Sequence, residues 1–283
     1  MNNTHIVFCD GGLSNRLNTL LFALLLKEKY GHNWEISWPI NNWCGADFNS
    51  LFSINLNINK LTLNDYKEKQ NNFTLLLHEN QIEFDESLIY YHKDIESYEK
   101  YLYFLNGDKP IFYFHNLIPA CADLGDIKMG MQSLRINPEI ESLAINFCNK
   151  NNINDSVFGL HIRKTDFGNL VDDEALYDLV LNSPHRFFVC SDDENVNDRF
   201  SKLKNCSVFN KKCFPEKSVL NSSWNSATVD DQGRTFNFNI KRSEESIVEA
   251  LVDLMILSKT THVDTSSSTF LRMSMLFKAT NYF

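Results

Sequence analysis

The segment Phe158-Gly159-Leu160-His161-Ile162-Arg163-Lys164-Thr165-Asp166 holds residue types that handle phosphate. It reads as a buried strand, Val157 to Ile162, that ends in a polar run. Side chains alternate along a strand, so His161 and Arg163 share a face. An arginine at a strand's carboxyl end offers a planar fork of donors to a phosphate. In an open α/β sheet that end is where ligands bind. The same arginine could instead pair with a neighbouring loop, and the same histidine could be a satisfied core residue. Asp166 would then hold Arg163 or cap the next helix.

Four further constellations have chemical content. Asp10-Gly11-Gly12-Leu13-Ser14-Asn15-Arg16-Leu17 joins a strand to a helix, where glycines allow close backbone approach and a helix N-terminus favours anions. It is neither a Walker A loop nor a dinucleotide fingerprint, and a plain tight turn is the alternative. Ser191-Asp192-Asp193-Glu194 follows a strand. Its adjacent aspartates resemble a metal-binding motif, but helix capping is the favoured reading. Asp253 lies in a helix with Glu249 one turn before it, either on a solvated stripe with Ser246 or facing a ligand. Thr265-Ser266-Ser267-Ser268-Thr269 sits between a strand and a helix, where hydroxyls and N–H groups suit a diphosphate or serve as ordinary caps.

These residues need strands and helices to position them. Ile6 to Cys9 reads as a strand and about 16–30 as a helix, with Leu17, Leu20, Leu21, Leu24 and Leu25 at helical spacing and Gly31 as its cap. Strand-like runs occur at Thr74–Leu77 and Ile111–Phe114, but about 55–135 is hard to read. A helix starts at Asn137-Pro138, and Asn149 to Asp155 is the best linker. Beyond it come strand 157–162, helix 173–182, strand 187–190, a helix to about Leu203, a short strand near Val208, a polar loop over about 211–240, helix 244–258, strand 262–264 and a last helix. The alternation predicts parallel α/β sheets.

The chain has 283 residues, 43% hydrophobic and 22% charged, enough for one large domain or two of about 140 residues. A net charge of -9 argues against nucleic-acid binding and a polybasic membrane anchor. Seven cysteines without a Cys-x-x-Cys pair, with Cys9, Cys148 and Cys190 in apolar runs, fit free thiols in a reducing compartment. No signal peptide or spanning run is visible. The expectation is a cytoplasmic protein with at most peripheral membrane association.

Taken together in order, Gly11 to Leu17, His161 to Asp166, Phe188 to Asp193, Glu245 to Leu254 and Asp264 to Ser268 resemble the fucosyltransferase superfamily of α-1,6-, nodulation, protein O- and α-1,2-fucosyltransferases. The likeness is good over 157–277 and thin over 40–150. It implies two Rossmann-like α/β domains facing a cleft (GT-B), here compact, with 1–150 on the acceptor side and 151–283 binding the nucleotide sugar. It implies inverting, metal-independent transfer of fucose or a related sugar from a GDP-sugar donor to a hydroxyl of a glycan acceptor, with no cofactor. By this resemblance Arg163 grips the diphosphate, His161 and Asp253 contact guanine, and Ser266, Ser267 and Ser268 touch phosphate. Asn15 faces the donor or acceptor, Gly11, Gly12, Arg16 and Asp192 join the substrate contacts, and Asp166 orients Arg163. Asp10, Asp47 and Asp166 are candidate bases. Alternatives are transfer from GDP-heptose or another GDP-deoxysugar, a phosphate-handling kinase or sulfotransferase, and a non-catalytic sugar-nucleotide-binding protein.

Overall fold

The computed structural model describes residues 4–54, 56–77, 84–91, 97–114, 122–165, 172–229, 235, 236, 238–263 and 268–283. Its elements in chain order are β1 (Thr4–Phe8), α1 (Leu13–Tyr30), β2 (Asn33–Ser37), α2 (Phe48–Leu51), β3 (Asn57–Asn59), α3 (Leu63–Lys67), β4 (Thr74–Leu77), β5 (Ile89–Tyr91), α4 (Tyr98–Leu105), β6 (Ile111–Phe114), α5 (Leu124–Ser133) and α6 (Pro138–Asn151). These are followed by β7 (Phe158–Ile162), α7 (Asp173–Asn182), β8 (Phe187–Ser191), α8 (Glu194–Ser201), β9 (Cys206–Ser207), β10 (Thr228–Val229), β11 (Thr235–Phe236), α9 (Glu244–Ser258), β12 (Thr261–His262) and α10 (Thr269–Ala279). Among the described residues no helix is long and apolar enough to cross a membrane.

The chain forms two α/β units, as the sequence predicts. One comprises Met1–Ile40, Phe52–Arg135 and Tyr282; the other comprises Asn41–Leu51, Ile136–Asn281 and Phe283. The division therefore falls at Arg135/Ile136 rather than near residue 150. Helix α6 buries Ile140, Ala144 and Cys148 and packs on α9, within the second unit. The stretch expected to be a linker instead closes that helix. Asn152 adopts a left-handed φ of 49° and its N–H bonds to the Cys148 and Asn149 carbonyls, a conformation asparagine tolerates.

The first unit is built on a six-stranded parallel sheet in the order β3-β2-β1-β6-β4-β5. Ile6, Phe8, Leu75, Leu77, Phe112 and Phe114 bury one face with Tyr66 and Phe84. Each such phenylalanine contributes about 2–3 kcal/mol by leaving water. Helix α1 is buried over nearly all of Leu13–Leu26: its second half, Leu20–Leu26, is wholly apolar, whereas its first turns bury the polar Ser14, Arg16, Asn18 and Thr19. It ends where Gly31, at φ 73°, donates its N–H to the Lys27 carbonyl. It begins three residues earlier than the leucine spacing suggests.

His5 is a buried polar residue of this sheet, 1% exposed. Its Nδ1 accepts the Ile111 N–H at 3.1 Å, so the bond requires a neutral ring. Burial, then the nearby His32, hold its pKa down at about 4. The unfolded chain protonates His5 near pH 6.5, so stability is fully present above that pH and is lost as pH falls from 6.5 to 4. His5→Asn keeps an acceptor without titrating. Its unfolding free energy, measured in denaturant from pH 7 to 4.5, is expected to fall less steeply than the parent's by about 1 kcal/mol per pH unit; parallel slopes would contradict this.

The second unit has a four-stranded parallel sheet in the order β12-β7-β8-β9 and an antiparallel pair, β10 and β11, inside the stretch expected to be a polar loop. Leu160, Ile162, Val180, Phe187, Val189, Val196 and Phe200 form the core on one face. On the other face Gly159 admits the end of α9 and Thr260, two residues beyond it: a Cβ at Gly159 would stand 2.0 Å from Thr260 Oγ1 and 2.7 Å from Leu257 Cδ1. Strand β9 falls at Cys206–Ser207, just before the Val208 expected for it.

Candidate functional site

In the second sheet the strand order reverses once, between β7 and β12; in the first, β2 and β3 lie on one side of β1 and the later strands β6, β4 and β5 on the other, so the order switches between β1 and β6. Ligands of open α/β sheets bind outside the strand carboxyl ends at such points. The Gly11-Gly12 loop leaves β1 there, and Arg163 leaves β7 there.

In the second unit, Leu160 and Ile162 point into the core, which turns His161 to the opposite face. The His161 ring stacks on Phe270, with centroids 4.6 Å apart, and its Nδ1 lies 3.3 Å from Ser268 Oγ. Ser268 also caps α10, accepting the Leu271 N–H at 3.2 Å. Burial pushes the His161 pKa down to about 4, with Arg163 and Lys211 acting the same way and Asp192 opposing. The imidazole is therefore neutral at pH 7 and offers hydrogen bonding and a flat face, not charge. Half-buried Arg163 follows directly after the strand.

Asp192, just past β8, fixes the turn that carries Arg163. Its Oδ1 accepts the Lys164 N–H at 2.7 Å, and its Oδ2 accepts the Thr165 hydroxyl. Both carboxylate oxygens are engaged by protein donors, so Asp192 is a buttress to the loop. Asp193 takes the capping role expected for this motif and accepts the Val196 N–H at 3.0 Å. Asp166, Ser266 and Ser267 lie outside the described residues.

Asp253 is 3% exposed, which rules out the solvated stripe. Its Oδ2 pairs with Lys211 Nζ at 2.9 Å, and Lys211 also donates to the Ser191 carbonyl at the end of β8. One turn earlier, Glu249 accepts the N–H groups of Lys212 and Cys213 at 2.9 Å. The polar face of α9 thus binds the strap 211–213. Burial raises the Asp253 pKa to about 6, against the opposing Lys211 charge. Burial alone would lower Lys211, but the Asp253 charge outweighs it and the net shift is upward. At neutral pH both members are charged. Lys211 was not legible in the sequence, where it is one lysine in a polar loop.

In the first unit, Gly11 has φ 79° and a Cβ there would meet Asn15 Nδ2 at 3.1 Å, so this turn needs glycine. Gly12 is extended and provides no side-chain cap to α1. The buried atoms Ser14 Oγ and Asn15 Oδ1 have no hydrogen-bond partner among the described residues. Arg16 differs from the substrate contact expected of it. It has no exposed surface, its Nε and Nη1 donate to the Gly11 and Pro39 carbonyls at 2.8 and 2.7 Å, and its guanidinium lies over Trp38. It holds the loop from behind. Two candidate bases also have local partners: Asp10 pairs with Arg16 at 3.5 Å, and Asp47 accepts the Asn49 N–H at 3.1 Å.

Cys9, Cys44, Cys148 and Cys190 are buried free thiols, and Cys206 and Cys213 are free and half-buried.

No protein-family model matches the chain, and no curated protein matches it. Solved structures do. Fucosyltransferase NodZ from Bradyrhizobium is 14% identical with a TM-score of 0.53, covering 97% of this chain and 92% of that one. NodZ alpha-1,6-fucosyltransferase soaked with GDP-fucose is 14% identical with a TM-score of 0.52, over 98% and 92%. A mutant of Arabidopsis thaliana FUT1 in complex with GDP is 12% identical with a TM-score of 0.54, over 98% of this chain and 69% of that one. Across nearly its whole length, the chain has the fold of these fucosyltransferase structures.

Proposed function

We propose that the protein is an inverting, metal-independent glycosyltransferase that moves fucose or a related sugar from a GDP-sugar to a hydroxyl of a glycan acceptor. The acceptor class is a surface polysaccharide or lipid-linked precursor met at the cytoplasmic side of the membrane. The observation that carries this reading is Arg163 at the strand-order reversal of the second sheet, braced by Asp192 and flanked by His161 and the Ser268 cap. The structural neighbours solved with GDP and GDP-fucose support it.

In this mechanism the acceptor hydroxyl attacks the sugar's anomeric carbon from the face opposite the diphosphate and gives its proton to a base; the bond between that carbon and the diphosphate oxygen breaks through an oxocarbenium-like state, and negative charge grows on the departing GDP. Arg163, with the hydroxyls around Ser268 and the α10 N-terminus, stabilises that charge. Neutral His161 and ionised Asp253 read the base. Gly11, Gly12 and Asn15 shape the sugar or acceptor end, and Arg16 keeps their loop in place.

Calorimetry with GDP, UDP and ADP, with and without EDTA, tests the reading, followed by GDP release from a panel of GDP-sugars. GDP is expected to bind at least about tenfold more tightly than UDP or ADP, the equivalent of one base-specific charged hydrogen bond, and EDTA is expected to change neither binding nor turnover. Tight ATP or sulfonucleotide binding would sink the proposal. Selective GDP binding without turnover of any donor would leave a binding protein.

A further inference from the structure

Asp253 presents an unusual pair of oxygens. Oδ2 is held by Lys211, whereas Oδ1 is buried and meets no donor among the described residues. A charged oxygen in that state is unfavourable unless a ligand supplies the donor. Lys211 itself is fixed from a second side by the Ser191 carbonyl, and its strap is fixed by Glu249. Lys211 therefore ties the end of β8 to α9 and leaves Asp253 one orientation.

We propose that Lys211 is a positioning and specificity-determining residue for base recognition: by pairing with Oδ2 it keeps the carboxylate ionised and turns Oδ1 towards the adjacent N–H donors of the guanine edge. This rests on the GDP reading above and adds to it a residue that does not itself touch the nucleotide. A carboxylate accepts from both the ring N–H and the 2-amino group of guanine, whereas inosine diphosphate lacks the 2-amino donor. The ratio of GDP to inosine diphosphate affinity therefore reports how well Asp253 is placed.

The test measures that ratio, at pH 7.5, for the full chain and two variants. The parent is expected to favour GDP by about tenfold or more. Lys211→Gln keeps a donor of similar length but removes the charge, and its ratio is expected to fall to within about threefold of unity, while Arg163-dependent binding of the diphosphate persists. Lys211→Arg keeps the charge and is expected to retain most of the parental ratio, an outcome that distinguishes positioning by charge from simple packing. A folded Lys211→Gln protein with the parental ratio overturns the proposal. If that variant does not fold, Lys211→Arg decides alone: a folded Arg variant that has lost the ratio overturns it, and one that retains the ratio supports it. A parent protein that does not distinguish GDP from UDP overturns the nucleotide reading itself, and this inference with it. A parent that prefers GDP, with selectivity indifferent to Lys211, overturns only the latter.

Discussion

Arg163→Ala is expected to lower GDP affinity by about a hundredfold and turnover of a GDP-sugar by about a thousandfold or more. The magnitude follows from the geometry of a guanidinium fork. Each charge-assisted hydrogen bond to a phosphate oxygen contributes about 1.5–3 kcal/mol, and a fork makes two. The loss in turnover exceeds the loss in affinity because the leaving diphosphate carries more charge in the transition state than in the bound donor. Arg163→Lys is expected to recover only part of the affinity, since an ammonium cannot bridge two oxygens in one plane. Titration calorimetry gives the affinity, and GDP release gives the rate. Thermal melting should be nearly unchanged, because Arg163 stands beyond the last residue of β7 and outside the core. Parental GDP affinity in Arg163→Ala would refute the assignment.

Gly159→Ala is expected to have the largest effect on folding. The new methyl would meet Thr260 Oγ1 at 2.0 Å, Leu257 Cδ1 at 2.7 Å and Thr260 Cβ at 3.0 Å. Thr260 cannot swing away cheaply: it has no exposed surface, and its hydroxyl donates to the Leu257 carbonyl at 2.7 Å. Either β7 or the end of α9 must move, at about 3 kcal/mol or more. That corresponds to a melting temperature lower by roughly 6–12 °C. The displacement also reaches His161, two residues along the same face, so nucleotide binding should weaken even at temperatures where the variant is folded. Adding Thr260→Ala removes the closest clash and is expected to restore part of the stability. A Gly159→Ala protein that melts with the parent would show that the helix end yields freely.

Much of this site was legible because its parts lie on strongly patterned elements. β7 and β8 are short apolar runs that end in polar residues, and α9 and α10 are largely apolar helices that begin at the serine caps Ser243 and Ser268. The first unit was harder to read. β3 and β5 are three residues each, too short for alternation to register, and β2, where Asn33 and Glu35 alternate with Trp34 and Ile36, carries a strand signal only five residues long. Arg16 shows a different limit. Sequence reveals a cation beside a glycine loop, but not that the guanidinium turns inward to two carbonyls. Asp253 shows the converse, since its burial depends on the strap carrying Lys211, a partner remote in sequence.

The excursion Asn41–Leu51 has a consequence for how the chain acquires its structure. It leaves the first unit after β2 and rejoins it at Phe52. In between, Gly45 lies so near the Arg242 carbonyl that a Cβ would be 2.3 Å from it, the Asn42 carbonyl accepts the Arg242 N–H, Trp43 meets Phe238 edge to face, and Cys44, Ala46, Phe48 and Leu51 are buried. During synthesis these residues emerge long before the chain that covers them. Neither unit is a continuous stretch of sequence, so cutting at residue 135 would strip one of its lining and leave the other with an apolar loop. The contacts are among the most distant in sequence, which slows folding and leaves an exposed apolar segment in the meantime. The nascent protein must therefore keep its forty-first to fifty-first residues from sticking elsewhere until its second half has been made.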